Sequence, residues 1–328
     1  MNEELVLASF AAGTESHLVV EPRSARFARF KASFDAAGEL RQLAERGFGF
    51  VGRSDLAFPP LLRAIHDPPP GLFLRGAGGA ALLGRPSVAI VGARACSAYG
   101  RQVARRLGRE LAAAGLVVIS GLARGVDGEA HRGALEAGGT TIAVLGCGID
   151  RDYPAAHRPL AREIAESGLI VSEYAPGIEP APWRFPARNR IVAGLCAGTI
   201  VVEARERSGA LITADLALEE GREVFAVPGE ITSALSTGSN ALLRLGATPC
   251  TGSADVLESF GLSPPEAVVP VLEPEAAAVL EHVRRAAIDA DELARAIGLG
   301  AGELAGLLTV LELAGAVTVE EGIIRAAR

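Results

Sequence analysis

The sequence predicts an α/β protein centred on a doubly wound, mostly parallel, Rossmann-like sheet, with a small helical N-terminal module and a winged-helix C-terminal domain. Between residues 87 and 260, short apolar runs alternate with amphipathic helical segments. This alternation is typical of a parallel sheet that is covered by helices on both faces. After a proline-rich break, three helical segments and a candidate hairpin follow in the order of a winged helix.

The first 80 residues contain short helical patterns, for example Glu39–Arg46. The breaker-rich stretch Asp67–Gly71 and the glycine-rich stretch Gly76–Gly84 follow them. We therefore expect residues 1–80 to form a small helical module with a linker. The sequence assigns no chemistry to this module.

Residues 81–260 are expected to form the central domain. Six nearly continuous apolar runs predict its strands, because strands of a covered parallel sheet are buried on both faces. The predicted strands are Ser87–Val91, Leu116–Ile119, Thr140–Leu145, Leu169–Val171, Thr199–Val202 and Glu223–Val227.

Residues 261–274 contain four prolines and no clear period, which predicts a linker. Residues 275–328 follow as the winged-helix domain. Its predicted helices are Glu275–Ala286, Asp291–Ile297 and Gly302–Leu313, and Asp289 or Ala290 stands at the start of the second. A predicted hairpin of Ala316–Val319 and Ile323–Arg325 follows and turns at residues 320–322.

The formal net charge of −7 argues at first sight against a nucleic-acid partner. The charge is unevenly distributed, however: residues 84–260 carry 18 basic and 19 acidic groups, whereas residues 261–328 carry 5 and 11. Lys31 is the single lysine, so 31 of the 32 basic residues are arginine. Almost every cation is thus a planar guanidinium, which suits phosphates and stacking on bases.

Several classes of protein are disfavoured by the same composition. The longest uncharged runs reach 13 residues, as in Leu111–Ala123, short of the roughly 18 that a spanning helix needs, so no membrane partner is expected. Glu3 and Glu4 stand where a secretory signal would carry basic residues. The four cysteines lie far apart without a C-x-x-C pair, which argues against zinc and against disulfides and indicates a cytoplasmic protein.

Ligands of open parallel sheets bind beyond the carboxyl ends of the strands, so the loops after the strands are the informative positions. After the first strand come Gly92 and Arg94, with Ser97 placed to cap the next helix. Glycine lets a ligand approach the backbone, and a helix N-terminus favours anions. The alternative is a structural turn with an exposed arginine, and these residues alone do not decide between the two.

After the second strand, Ser120, Gly121, Arg124 and Gly125 lead into a helix that contains His131. The glycines lack the G-x-G-x-x-G spacing, and no acidic residue ends the next strand for a ribose, so a redox cofactor is disfavoured. The segment predicts a phosphate-sized nest of backbone amides. We interpret His131 as a packed or capping residue, since no nucleophile is identifiable near it.

The fourth strand leads to an octet, residues 183–190, in which Arg184, Phe185, Arg188, Asn189 and Arg190 interleave cations and an amide with aromatic rings. Single-stranded nucleic acid needs this mixture, since bases stack on rings while guanidiniums hold the backbone. A solvated basic helix start with Phe185 in the core is the alternative.

The fifth strand ends near Glu203, and Ser208 and Gly209 then start a hydroxyl-capped helix of anion-binding type. We expect Glu203 to order neighbouring arginines or loop amides, since no second carboxylate stands at a spacing that suggests hydrolysis. Cys147 has no neighbouring base and is interpreted as buried. The sequence thus predicts several anion-binding helix starts and no catalytic set, cofactor or metal site.

Nine ordered motifs between about residues 58 and 258 resemble those of the DNA-processing protein A family, also called Smf. They are Ile90–Arg94 with Tyr99-Gly100, Ser120–Asp127 with Ala130-His131, Ala143–Gly148 with Tyr153-Pro154, Ser172–Tyr174, Phe185–Arg190, Val202–Ala204, Ser208–Ala214, Ala226–Gly229 and Gly238–Asn240.

The resemblance implies an extended Rossmann-like domain that binds single-stranded DNA without sequence preference, forms a homodimer and helps to load the recombinase RecA onto DNA during natural transformation. It implies DNA contacts by Arg94, by the amides around Ser120 and Gly121, and by the octet. Some relatives carry a lysine just before the matching phenylalanine, where this chain has Arg184. A dimer like the family's would use the sheet edge near residues 240–245, with Leu242 and Leu243 as candidate contacts.

The resemblance also implies a sterile-alpha-motif-like N-terminal domain and a winged-helix C-terminal domain. The predicted third helix of the latter has no lysine or arginine, although a recognition helix in a major groove faces a dense phosphate field. Our hypothesis is that this module binds protein or packs in its own dimer. Two rival functions stay open for the whole chain: a Rossmann-fold enzyme that binds or hydrolyses nucleotides, and a protein-interaction scaffold.

Overall fold

The computed structural model describes residues 2–12, 25–263, 273–314, 316–320 and 322–326. Contacts divide the chain into two compact units, Met1–Pro265 and Glu266–Arg328. The predicted linker spans this division, and its residues 264–272 lie outside the described residues.

Among the described residues, the first unit contains a nine-stranded sheet. Its strands are β1 (Phe48–Gly52), β2 (Gly71–Arg75), β3 (Ser87–Val91), β4 (Val117–Ser120), β5 (Thr141–Val144), β6 (Leu169–Ser172), β7 (Gly198–Val201), β8 (Glu223–Ala226) and β9 (Thr248–Pro249). The helices are α1 (Asn2–Ala12), α2 (Ala25–Ser33), α3 (Ala36–Glu45), α4 (Pro60–Arg63), α5 (Ala98–Ala113), α6 (Val126–Glu136), α7 (Arg158–Ser167), α8 (Arg184–Leu195), α9 (Gly209–Glu219), α10 (Thr237–Arg244) and α11 (Ser253–Ser259).

All six predicted strands are present, as β3 to β8, and every pair among β3 to β9 is parallel. The side chains alternate between two cores: Ala89 and Val91 of β3 pack on one face of the sheet, Val88 and Ile90 on the other. Helices cover both faces, so the predicted doubly wound architecture is confirmed.

The first 80 residues contain the predicted helical segment as α3, which Asp35 caps, together with two strands that the sequence analysis does not predict. Strand β2 pairs antiparallel with β1 and with β6, so the sheet continues across residue 80. Their segments, FGFVG and GLFLR, contain three glycines in ten residues, which weakens the strand signal. Pairing with β6 buries β2 and stabilises a strand that its local sequence favours only weakly.

The strand order is β1-β2-β6-β5-β4-β3-β7-β8-β9. From β3 the chain builds the sheet in one direction through β4, β5 and β6, and β7 then continues it on the other side of β3. Strands β3 and β7 are neighbours, but the chain continues from β3 towards one edge of the sheet and from β7 towards the other. The loops after these two strands therefore lead away from each other. This divergence is the topological switch point at which open α/β sheets bind ligands.

The second unit has the predicted winged-helix order. Its described elements are α12 (Pro274–Arg285), β10 (Ile288–Asp289), α13 (Ala290–Ile297), α14 (Ala301–Leu313), β11 (Val317–Glu320) and β12 (Ile323–Ala326). The Asp289 carboxylate caps α13 by accepting a hydrogen bond from the Glu292 amide at 2.8 Å. Strand β10, not predicted, pairs with β12.

Helix α14 carries Glu303 and Glu312 and no arginine or lysine; the hypothesis that this unit binds protein stays a prediction. Within the described ranges, no single helix is long and apolar enough to span a membrane. Ala290–Ile297 and Ala301–Glu312 reach that length and composition only as a pair, bent by 108°.

Candidate nucleic-acid interface

A pocket of about 300 Å³ lies at the switch point of the sheet. The loops after β3, β4 and β7 and the first turns of α8 and α9 form its walls. The lining residues with polar or charged side chains are Arg94, Asp127, Arg188, Asn189, Arg205, Arg207, Ser208 and Thr213, and Phe185 contributes an aromatic ring.

The loop after β3 places Arg94 at the mouth of this pocket. Its exposed guanidinium lies 5.5 Å from the centre of the Phe185 ring. Gly92 allows the loop to run this close to its neighbours, because a Cβ there would lie 2.6 Å from Val126 Cγ2 and 3.0 Å from the Glu203 carbonyl oxygen. The sequence-predicted pair Gly92 and Arg94 therefore meets the octet in space.

Glu203 holds the same loop from below. Its buried carboxylate accepts hydrogen bonds from the Ser97 amide (2.9 Å) and the Ser97 hydroxyl (2.5 Å), while the hydroxyl accepts one from the Gly100 amide at 3.0 Å. Ser97 thus caps α5 as predicted. Glu203 orders loop amides, which was the role that the sequence favoured.

The nest after β4 already holds a carboxylate. Asp127 accepts hydrogen bonds from the amides of Gly121 (3.1 Å) and Ala123 (3.3 Å), and it is 7% exposed. The Ser120 hydroxyl is fully buried and donates to the Ile90 carbonyl oxygen at 2.6 Å. The prediction of a phosphate-binding nest here is therefore wrong, because the Asp127 carboxylate occupies the amides that a phosphate would need.

Arg188 lies beneath the pocket and is 5% exposed. Its guanidinium donates to the carbonyl oxygens of Gly121 (2.8 Å) and Val144. Burial lowers the pKa of Arg188, an effect that the nearby Asp127 charge opposes. Burial likewise raises the pKa of Asp127, against the charge of Arg188 and the amide hydrogen bonds. Arg188 therefore fastens α8 to the ends of β4 and β5.

Arg190 is also engaged inside the protein. It binds the Glu173 carboxylate with two hydrogen bonds of 3.1 and 2.7 Å and Asp67 with one of 2.9 Å. Burial disfavours its charge, but Glu173 and then Asp67 outweigh burial and raise the pKa of Arg190. Arg190 therefore ties α8 to the loop before β2, and its predicted role as a DNA contact does not match this geometry.

Asn189, Ser208 and Gly209 meet where α8 approaches the start of α9. The Asn189 amide donates to the Gly209 carbonyl oxygen at 3.1 Å and accepts from Arg188 Nε at 3.3 Å. The Ser208 hydroxyl caps α9 by accepting from the Ala210 amide at 3.1 Å. The first turn of α9 lines the pocket, and anion binding at this helix start stays a prediction.

Phe185 is half-buried, and its ring forms part of the pocket wall. Gly146 makes room for it, because a Cβ there would lie 2.9 Å from Phe185 Cδ1. Arg184, by contrast, turns towards the Tyr174 and Trp183 rings, at 5.2 and 4.8 Å, and donates to the Glu179 carbonyl oxygen.

Two arginines of the pocket were missed by the sequence analysis. Arg205 and Arg207 lie in the loop after β7, are exposed, and form no hydrogen bond or ion pair among the described residues. The signal was available, since this loop also follows a strand at its carboxyl end. Arg124 is likewise exposed without such a partner in the described part of the chain, but it does not line the pocket.

The remaining titratable candidates are buried. His131 contacts the Thr141 hydroxyl at 2.7 Å, and burial lowers the pKa of its imidazole to about 3. Burial raises the pKa of the Cys147 thiol to about 11. Both residues pack inside the protein, as predicted. Within the described residues, no group of three or more His, Cys, Asp or Glu side chains is arranged to hold a metal ion.

The candidate dimer contacts need one correction. Leu242 is 5% exposed and packs in the core, so it is not available to a partner. The helical phase of α10 turns this residue towards β8. Leu243 is partly buried, and Leu245, 84% exposed, is the apolar side chain that this segment presents to solvent.

Comparisons with known proteins agree with this architecture. The family described as DNA recombination-mediator protein A matches residues 49–261, and the DprA winged helix domain matches residues 263–322. The DNA processing protein DprA of Streptococcus pneumoniae is 48% identical over 206 residues, which cover 63% of this chain and 72% of that protein.

Two solved structures are similar in fold. The X-ray structure of DNA processing protein A from S. pneumoniae has a TM-score of 0.67 at 39% identity, over 79% of this chain and 93% of that one. DNA processing protein A from Helicobacter pylori, solved for its mode of binding single-stranded DNA, has a TM-score of 0.59 at 33% identity, over 65% of this chain and 95% of that one.

Proposed function

Since this chain belongs to the DNA recombination-mediator protein A family, we propose that it binds single-stranded DNA without sequence preference and helps to load the recombinase RecA onto DNA that enters the cytoplasm during natural transformation. The observation that carries the proposal is the pocket at the switch point. There, Arg94, Arg205 and Arg207 surround an aromatic ring and a helix N-terminus.

The chemistry of this pocket fits a single strand. The exposed guanidiniums of Arg94, Arg205 and Arg207 and the Gly209 amide at the start of α9 can bind phosphates. The Phe185 ring can stack on a base, which a duplex would keep inside its own stack. Both interactions are possible with any of the four bases.

The hydrogen bonds of the Asn189 side chain support the proposed lack of sequence preference. Reading a base edge requires an amide or guanidinium with free donors and acceptors in a fixed geometry. The side-chain oxygen and nitrogen of Asn189 are both hydrogen-bonded within the protein. Arg94, Arg205 and Arg207 stand on loops instead, where they can follow a backbone.

We propose that the protein is not an enzyme, in contrast to the rival nucleotide-hydrolysing function. A general base must reach the proton that it removes. Asp127, which lines the pocket, and Glu203, which holds the loop after β3, are buried and accept hydrogen bonds from loop amides or a hydroxyl. Both therefore act as parts of the scaffold.

We also propose that the protein acts as a homodimer. Leu218 near the end of α9 and Leu245 after α10 are 53% and 84% exposed, and both helices pack against β8. Contiguous exposed apolar patches mark interaction surfaces, and these two leucines are our candidates for such a patch. Sedimentation equilibrium of wild type and Leu245→Glu tests this, with a shift to monomer expected for the variant.

The decisive experiment is binding of a fluorescent oligo-dT at two salt concentrations by wild type, Arg94→Ala and Arg109→Ala. Arg109 is a matched control, because it is an exposed arginine near the far end of α5, away from the pocket. We expect salt-sensitive binding by wild type and Arg109→Ala, and a loss of about tenfold for Arg94→Ala.

Wild-type protein that does not bind oligo-dT at low salt would contradict the proposal and favour the protein-interaction scaffold. Turnover of a nucleotide that Glu203→Gln abolishes would favour the enzyme. The RecA-loading step is tested by following RecA assembly on oligo-dT with wild type and with Arg94→Ala, for which we expect reduced stimulation.

A further inference from the structure

Tyr153 stands beside the pocket on the loop after β5 and has no part in the contacts described above. We propose that Tyr153 is a further DNA-contacting residue, whose exposed ring forms a second base-stacking surface next to Phe185. This inference rests on the proposed function and extends the site by about one nucleotide.

The Tyr153 and Phe185 rings are stacked, with their centres 5.3 Å apart and their planes inclined by 23°. The Arg94 guanidinium lies 5.5 Å from the centre of the same Phe185 ring. Three flat groups from three separate segments, the loop after β3, the loop after β5 and the start of α8, thus form one cluster. Such a cluster of rings and guanidiniums is what successive bases and phosphates of a single strand require.

Tyr153 is both exposed and stacked on the Phe185 ring, whereas Tyr99, which is 47% exposed, contacts the loop after β8. The Tyr99 hydroxyl donates to the Pro228 carbonyl oxygen at 3.0 Å, and Tyr174 is 2% exposed. Tyr153 is 43% exposed, and its hydroxyl forms no hydrogen bond among the described residues. Packing therefore uses only part of this ring, and the remainder faces solvent beside the pocket.

Two acidic residues that precede Tyr153 in the chain form ion pairs, which hold its loop in place. Asp150 binds Arg46 at 3.1 Å and accepts a hydrogen bond from the Gly177 amide at 2.8 Å. Asp152 binds Arg75 at 2.7 Å. The two acidic side chains of this loop are thereby neutralised, so they oppose an approaching phosphate less. A ring on an anchored loop also loses little conformational entropy when a base stacks on it.

A base is the ligand that this surface fits best. A phosphate would need donors, and the exposed ring offers only a hydroxyl. Stacking of a base on an aromatic ring is tolerant of sequence, in agreement with the proposed lack of sequence preference. The adjacent Arg94 can bind the phosphate that connects two stacked bases.

The test compares wild type, Tyr153→Leu and Tyr153→Phe on oligo-dT and on an abasic oligomer of equal length. Leucine keeps an apolar side chain against Phe185 but removes the π face, and phenylalanine keeps both. For Tyr153→Leu we expect the Kd for oligo-dT to rise about fivefold or more, with the salt slope unchanged because no cation is lost. Tyr153→Phe should stay within about twofold of wild type.

The abasic oligomer separates stacking from a merely structural role. If Tyr153 stacks on a base, wild type and Tyr153→Leu bind the abasic oligomer equally. An equal loss on both oligomers, or no loss on oligo-dT, would overturn the inference while leaving the proposed function intact. Wild-type protein that fails to bind oligo-dT would overturn both.

Discussion

The arginines beneath the pocket and the arginines around it have the same chemistry and different environments. The inner arginines are Arg188, which is 5% exposed, and Arg190, whose side chain is 11% exposed, and they bind carbonyl oxygens or carboxylates of the protein. Arg94, Arg205 and Arg207, the rim arginines, are exposed and form no ion pair among the described residues. The comparison separates the groups that build the site from those that can bind a ligand.

The physical cause of the difference is desolvation. A buried guanidinium has exchanged its water for fixed protein partners, and removing those partners costs several kcal/mol. A rim guanidinium is hydrated and exchanges water and counterions for a phosphate, which makes its contribution dependent on salt. We therefore expect substitutions of inner arginines to affect folding and substitutions of rim arginines to affect binding.

The largest effect is expected for Arg188→Ala. The substitution removes a positive charge that favours the buried Asp127 carboxylate, and it removes a hydrogen-bond donor from two carbonyl oxygens. Leaving buried polar groups without a partner costs about 1–3 kcal/mol each, so we expect a total loss of about 3 kcal/mol, which urea unfolding measures. Arg109→Ala should stay within about 0.5 kcal/mol of wild type. An Arg188→Ala variant that unfolds like wild type but loses DNA binding would place Arg188 among the ligand-binding groups.

The next effect is expected for the combined variant Arg94→Ala, Arg205→Ala and Arg207→Ala. Each phosphate contact that is lost lowers the slope of log K against log salt by about 0.7 for a single strand, so the slope should fall by up to about 2. The Kd at low salt should rise by at least about tenfold, while the urea midpoint stays unchanged. A slope equal to that of wild type would mean that these arginines do not contact phosphates.

The sequence predicts the scaffold of this site well. Strands β3 to β8, the cap of α5 by Ser97 and the cap of α9 by Ser208 follow from local patterns of apolar and hydroxyl residues. Strands β1 and β2 do not, because their pairing with β6 depends on contacts distant in the sequence.

The sequence could not separate the inner from the rim arginines. Arg184, Arg188 and Arg190 fall within one basic octet, and only the orientation of α8 buries Arg188 and Arg190. The nest after β4 was mispredicted for the same reason, since its occupation by Asp127 depends on the three-dimensional fold. The Asp127 carboxylate reaches the Gly121 amide only because α6 starts at Val126. Leu242 was similarly misassigned because burial depends on the phase of a short helix on the sheet.

The third prediction concerns His131, which belongs to the same buried polar layer as Arg188. Burial disfavours the charged imidazole and lowers the pKa of His131 to about 3 in the folded protein, from about 6.5 for an exposed histidine. Below about pH 6.5 the unfolded chain binds a proton that the folded protein does not. The stability contribution is therefore fully present above that pH and is lost as the pH falls, by up to about 1.4 kcal/mol per pH unit.

Urea unfolding of wild type and His131→Gln between pH 7 and pH 5 measures this effect as a difference in slope, which does not depend on the stability of the variant at neutral pH. We expect the unfolding free energy of wild type to fall more steeply. Parallel curves for the two proteins would show that His131 does not titrate differently in the folded and unfolded states. DNA binding at neutral pH should be the same for both.

The smallest effect is expected for Arg124→Ala, which tests how far the rim extends. Arg124 is exposed, as the rim arginines are, but it lies outside the lining of the pocket. A charge that acts across water over about a Debye length contributes little at physiological salt, so the Kd for oligo-dT should rise by about twofold. Arg109→Ala again serves as the control. A loss for Arg124→Ala as large as that for Arg94→Ala would mean that the strand continues from the pocket over the loop after β4.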